Sequence, residues 1–241
     1  MTNQPYIILV NPQLAENVGM AARAMMNCGL YNLRLVNPRE NHLSEKAVAA
    51  SSNAEEILHK AEIFDSLSNA IKDLHQVFAS TARRRDMIKT IYTADAAVEK
   101  IYENLSCGIK CGILFGPERT GLENDDVAIA DAVIEIPLNP KHCSLNLSQA
   151  VLLVGYEWHK LQANAPKSQL VTNKTNVADK ETVANMFNFL EKELDECGNF
   201  RVDEKRPRMV RNLRNIFLRS QLTEQEINTL YGVFNHLINK K

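Results

Sequence analysis

The sequence predicts an α/β protein, a mostly parallel sheet with helices on both faces, followed by a small helical domain. Three observations predict it. Short runs rich in β-branched and large apolar residues alternate with stretches of helical periodicity up to about Leu161, which is the pattern of a parallel sheet covered by helices. Ile109–Phe115 is the most continuous apolar run of the first half, as expected of a central strand buried on both faces. From Glu181 onward only helical patterns remain.

Tyr6–Val10, bounded by Pro5 and by Asn11-Pro12, reads as a buried strand. Val18, Ala21, Ala22, Met25 and Met26 then recur at helical spacing over Asn17–Cys28, and Gly29 stands where a helix ends. Leu33–Val36 predicts a strand, Ser44–Lys60 an alanine-rich helix, Glu62–Phe64 a short apolar step and Leu67–Leu74 another helix. His75–Ala79 is a strand that runs into Ser80-Thr81-Ala82 and three arginines, Arg83, Arg84 and Arg85. A helix over Ala94–Leu105, the central strand, a turn at Gly116-Pro117, a short helix over Glu123–Ile129 and a strand over Ala132–Ile136 follow. Ile136–Tyr156 joins an apolar strand end to a polar loop and then to a helix over Leu147–Leu161. That order builds sites, because a helix start presents free backbone N–H groups. The domain boundaries read as 1–162, a linker over 163–180 poor in large apolar groups, and a helical domain over 181–241. Its helices are Glu181–Cys197, Arg208–Arg219 and Thr223–Ile238, the last opening with a capping box.

Apolar residues make up 45% of the chain, charged ones 24%, and the formal net charge is −1, values of an ordinary globular protein that point to no partner class. Cys28, Cys107, Cys111, Cys143 and Cys197 contain no C-x-x-C pair and read as reduced thiols with no metal site. No basic flank or long apolar run marks the N-terminus, so the expected location is cytoplasmic, away from a membrane.

No G-x-G-x-x-G follows a strand, and Gly116-Pro117-Glu118-Arg119-Thr120-Gly121 continues into Leu122-Glu123 where a P-loop needs Lys and Ser or Thr. A glycine turn at a strand's C-terminal end remains, either a ligand turn of an open α/β sheet or a structural one. Arg83, Arg84 and Arg85 read as a solvated charge run or as a phosphate-binding fork. His142 and Ser144 lack a base-orienting acid and a nucleophile elbow, which argues against a serine hydrolase. Between Lys205 and Arg219 there are six basic residues and no acidic one. At about 100° per residue, Arg208, Arg211 and Arg219 share one helix face, opposite Met209, Leu213, Ile216 and Phe217. A plain soluble surface mixes both signs, so a polyanion is the expected partner.

Asn17-Val18-Gly19-Met20-Ala21-Ala22-Arg23, Phe115 to Leu122, and Ile136-Pro137-Leu138 running to Ser144-Leu145-Asn146-Leu147-Ser148 resemble, in order and spacing, the three motifs of the SPOUT methyltransferases. Within them the chain is similar to the TrmH-type ribose 2'-O-methyltransferases. Ser80-Thr81-Ala82-Arg83 and the tail resemble the bacterial branch acting on cytidine or uridine 32 of tRNA. The resemblance implies a C-terminal trefoil knot, an obligate homodimer, tRNA as substrate, and S-adenosylmethionine as cofactor without a metal. It places Ser80, Thr81, Ala82, Gly116, Ile136, Cys143, Ser144 and Leu145 against the cofactor, mostly through backbone groups, and would have glycine at the turns so that the chain can approach the ligand. Cys143 stands where the family more often has another small polar residue. Arg23 matches the arginine near the acceptor ribose, Ser144 and Asn146 would orient the hydroxyl and its loop, and Glu118 and Arg119 would hold loops together. Arg83, Arg84, Arg85, Arg208, Arg211 and Arg219 would meet RNA. Another RNA target and a non-catalytic RNA-binding protein are the competing expectations.

Overall fold

The computed structural model describes residues 3–83, 87–163, 171 and 174–239, and the chain divides into two units, Met1–Ala165 and Pro166–Lys241. The first holds strands β1 (Tyr6–Val10), β2 (Leu33–Val36), β3 (Glu62–Phe64), β4 (Gln76–Ser80), β5 (Thr90–Tyr92), β6 (Cys111–Phe115) and β7 (Ala132–Ile134). Its helices are α1 (Ala15–Asn27), α2 (Glu45–Ser51), α3 (Glu55–His59), α4 (Leu67–Ile71), α5 (Ala94–Ser106), α6 (Asn124–Ala128) and α7 (Leu147–Gln162). The strands form one seven-stranded sheet in the order β3-β2-β1-β6-β4-β7-β5, with every pairing parallel.

Alternate residues of each central strand feed two cores. Ile7, Leu9, Phe78, Ile113 and Phe115 meet side chains of α1, α5 and α7 on one face. Ile8, Val10, Val77, Ala79 and Leu114 meet α4 and α6 on the other. Burial on both faces is why these strands read as apolar runs without a period-two pattern. The segment expected as one helix over Ser44–Lys60 is two, because Ser52 and Asn53 take left-handed backbone angles, φ 47° and 74°, which no helix accommodates. β5 is a strand that the sequence pattern did not indicate, a short edge strand paired to β7.

Among the described residues of this unit, one charged residue is buried. Arg34 on β2 is 3% exposed, makes a forked pair with Asp73 (2.7 and 3.0 Å), donates to the Ala70 carbonyl at 2.7 Å and stacks over the Tyr6 ring. The hydrogen bond from Arg34 holds the Asp73 carboxyl below the usual carboxylate range.

The second unit comprises α8 (Lys180–Glu196), a 3-10 turn at Asp203–Lys205, α9 (Arg206–Leu218) and α10 (Glu224–Ile238), packed on Met186, Phe187 and Ile227. Asp179 caps α8, and Thr223 with Glu226 forms the capping box of α10. Part of the stretch read as linker belongs to this unit: Val177 bridges Thr223 antiparallel, and the Ala178 N–H donates to the Leu222 carbonyl at 2.9 Å. The apolar face of α9 also differs from the expectation. Arg214 is drawn to the carboxylate of Glu191, buried in α8, at 2.6 Å, so Val210, Leu213, Arg214 and Phe217 face inward. Met209 and Ile216 are turned outward, 37% and 55% exposed.

Candidate active site

Parallel strands deliver their C-terminal ends to one edge of the sheet, and ligands of open α/β sheets bind there. β4, β6 and β7 lie side by side in the order β6-β4-β7, so the loops after them share a cavity of about 250 Å³. Its walls come from residues 80–83, 115–121 and 136–150. All eight residues expected against the cofactor, Ser80, Thr81, Ala82, Gly116, Ile136, Cys143, Ser144 and Leu145, line it, together with Arg83, Glu118 and Arg119. Phe115, Leu138, Leu147 and Ala150 add apolar surface, so the cavity has an apolar floor and a polar rim.

Gly116 is required by the path of its own loop. A Cβ there would lie 2.1 Å from the Leu122 nitrogen and 2.4 Å from the Gly121 carbonyl carbon. The loop's own return excludes a side chain. The turn is closed by the Gly121 N–H donating to the Pro117 carbonyl at 2.8 Å.

A polar relay fixes the walls relative to α1. The Glu118 carboxylate accepts from Asn17 Nδ2 at 2.5 Å and from the Gln13 N–H at 3.2 Å. Asn17 is 3% exposed, and its Oδ1 accepts from Asn146 Nδ2 at 3.0 Å. Asn146 Oδ1 in turn caps α7, accepting from the Ser148 N–H (2.9 Å) and hydroxyl (2.7 Å). A carboxylate only accepts, so it sets the orientation of the Asn17 amide, and Asn17 sets that of Asn146. The amide of Asn146 thus takes part in the relay and the cap, and Asn146 lies outside the cavity lining. Glu118 ties the loops together as expected of it within a single chain. Gln13 was not singled out from the sequence, and Asn17 entered only as the first residue of the first motif, with no role assigned to it.

Arg23 does not line the cavity. It sits on the outward face of α1 with Met20 and Asn27, all exposed, so a single chain assembles the pocket without it. Ser144 lines the cavity on an exposed stretch of loop, and His142 is exposed beside it. Arg84 and Arg85 lie outside the described residues. Arg208 and Arg211 on α9 and Arg219 at its C-cap are exposed, and no carboxylate pairs with them among the described residues. Arg206 and Arg214 are instead bound to Asp195 and Glu191 of α8. Among the described residues no group of three or more His, Cys, Asp or Glu is arranged to hold a metal ion, and no helix is long and apolar enough to cross a membrane.

The sequence model of the SpoU rRNA methylase family matches residues 4–156, and that of the tRNA methyltransferase TrmJ C-terminal domain matches residues 181–241. The tRNA (cytidine/uridine-2'-O-)-methyltransferase TrmJ of Photorhabdus laumondii is 32% identical over 231 residues, covering 95% of this chain and 94% of that protein. Among solved structures, TrmJ from Z. mobilis ZM4 superposes with a TM-score of 0.85 at 42% identity, covering 98% of this chain and 99% of that one. The SpoU methyltransferase AviRb from Streptomyces viridochromogenes, in complex with the cofactor AdoMet, shares the fold with a TM-score of 0.52 at 16% identity, covering 68% of this chain and 60% of that one.

Proposed function

The chain belongs to the SpoU rRNA methylase family, in its TrmJ branch, and from that premise we propose that it methylates the ribose 2'-hydroxyl of cytidine or uridine 32 in the tRNA anticodon loop, with S-adenosylmethionine as donor. The observation that carries this reading is the convergence of the residues after β4, β6 and β7 on one cavity. An apolar floor of Ile136, Leu138, Leu145 and Ala150 suits a heterocycle, and the rim of Ser80, Thr81, Arg83 and Ser144 suits an amino-acid tail. The cavity therefore fits S-adenosylmethionine, whose sulfonium supplies a methyl group already activated by positive charge.

What remains for the protein is alignment and help with one proton. The relay from Glu118 through Asn17 to Asn146 holds the Cys143–Leu145 loop at the cavity, and the Ser144 hydroxyl is available to orient the acceptor. Arg23 binds the substrate phosphate and stabilises developing alkoxide charge; a guanidinium is a reluctant base, so the hydroxyl proton leaves to solvent water. Because Arg23 is outside its own chain's cavity, this reading brings it to the cavity of a second copy. Met20, Leu152, Leu153 and Tyr156, on the mutually packed α1 and α7, are 37%, 41%, 38% and 54% exposed, and they form the face on which that copy docks. The trefoil knot of the cavity loops is part of the same reading, as is tRNA backbone contact by Arg83, Arg208, Arg211 and Arg219.

Mapping 2'-O-methylation in tRNA from a strain lacking the protein tests the assignment, and a nucleotide 32 that stays methylated sinks it. Arg23→Ala is expected to abolish turnover while calorimetry finds S-adenosylmethionine affinity unchanged. Loss of both together would place Arg23 in the cofactor wall instead.

A further inference from the structure

A second cavity, of about 530 Å³, opens at the C-terminal ends of β1 and β2 and shares Pro117 and Thr120 with the first. Both strands end in the same tetrapeptide, Leu-Val-Asn-Pro, at residues 9–12 and 35–38. Asn11 and Asn37 take left-handed angles, φ 47° and 45°, and their N–H groups extend the ladder to the Val36 and Phe64 carbonyls at 2.9 and 2.8 Å. Asparagine tolerates that backbone, which accounts for the residue type but leaves its amide unexplained. The two amides touch each other, Asn37 Nδ2 donating to Asn11 Oδ1 at 3.3 Å, and Arg39 Nη1 donates to Gln13 Oε1 at 3.4 Å. Both bonds are near the long limit, both donors belong to exposed residues, and Arg39 pairs with no carboxylate among the described residues.

We propose that this cleft receives the pyrimidine base of the nucleotide whose ribose faces the first cavity. The inference rests on the reading that a tRNA ribose is the acceptor. A base is bonded to the sugar carbon next to the one carrying the 2'-hydroxyl, so it must occupy space that shares a wall with the methyl-transfer cavity. The cleft does so through Pro117 and Thr120. Its charges also suit a base better than a phosphate, because the Glu123 carboxylate lies in the same lining as Arg39. A phosphate would meet that carboxylate; a neutral heterocycle with a donor and acceptor edge does not suffer from it. A side-chain amide carries a donor and an acceptor and exchanges them by a half-turn, so the Asn11 and Asn37 pair can serve the edge of cytosine or of uracil. Pro38 and Pro117 add apolar surface for a ring face. The neighbouring cavity beyond Thr81 and Arg83 is smaller, about 120 Å³, and half of its lining, Met87, Ile91, Val127 and Val133, is apolar.

Asn37→Asp is the test, since aspartate keeps the size and tolerates the left-handed backbone but can only accept at neutral pH. The measurement is the ratio of kcat/KM on two tRNA transcripts that differ only in the target pyrimidine. The wild type should accept both, and the variant should shift the ratio by roughly tenfold or more, as expected when a polar edge is left unmatched, with S-adenosylmethionine affinity unchanged. An active wild type whose ratio survives the substitution overturns this inference alone. A fall in cofactor affinity alongside a shifted ratio overturns it too, because the substitution then acts through the first cavity. A wild type that methylates neither transcript overturns the proposed function, and this inference with it.

Discussion

Glu118→Gln should loosen the cavity without touching the sheet. The native carboxylate accepts from Asn17 Nδ2 and from the Gln13 N–H, whereas a glutamine offers one oxygen and one NH₂. With its oxygen toward Asn17, the NH₂ opposes the Gln13 N–H. With the amide reversed, two NH₂ groups face each other, and rotating Asn17 to relieve them turns its NH₂ on Asn146 Nδ2. No arrangement satisfies every donor. Losing one charge-assisted bond and stranding a buried donor costs about 1.5–3 kcal/mol, and the partial exposure of Glu118 favours the lower half, roughly 2 kcal/mol. For a unit of this size that corresponds to a Tm lower by about 4–8 °C. Trp158 is the chain's single tryptophan and is 1% exposed in α7, so its fluorescence follows the first unit without interference from the second. Melting wild type, Glu118→Gln, Asn17→Ala and the double variant should give a coupling of about 1 kcal/mol or more. A Tm within a degree of wild type, or strict additivity, would refute the relay.

Asp73→Asn leaves the buried Arg34 side chain with Glu62 at 3.4 Å as its remaining carboxylate, and because Asp73 is itself 40% exposed the loss should be about 2 kcal/mol. Because Arg34 depresses the Asp73 pKa below 3.8 in the fold, this stabilisation is complete above the unfolded value and is lost as pH falls through the folded one. Urea midpoints of wild type and variant should therefore differ by a constant amount near neutrality and converge below about pH 4; a gap that persists in strong acid would count against the pair. In the tail, replacing Arg208, Arg211 and Arg219 together by alanine should lower the salt slope of tRNA binding by about 2–3 with helicity intact. Arg214→Ala should instead lower helicity, since Glu191 loses its partner. Fluorescence anisotropy across a salt series and circular dichroism separate the two, and an inverted pattern would reject the division of roles.

Strand and helix periodicity was legible wherever burial repeats along the chain. It failed where one residue decides: Ser52 and Asn53 end α2 through backbone angles that an alanine-rich pattern conceals, and Glu191 on α8 rotates α9 by attracting Arg214. Thr90-Ile91-Tyr92 is too short and too exposed to announce β5. The cavity lining was legible through motif resemblance, because each wall is a contiguous segment. The relay was not, since Asn17, Glu118 and Asn146 meet across more than 100 residues of chain between the first two, and pairings at that distance leave no periodic trace. The matched ends of β1 and β2 are plain in the sequence once the sheet sets Asn11 beside Asn37, and unremarked before.

The strand order also governs when the molecule can first hold a ligand. β6 inserts between β1 and β4, both synthesised earlier, so neither can complete its ladder until Cys111–Phe115 has left the ribosome. A nascent chain ending before Leu147 would have its first two walls and no capped helix to close the third. Ligand capture therefore marks the completion of the first unit during synthesis. A ligand that binds only the finished fold stabilises it by mass action over every incomplete form.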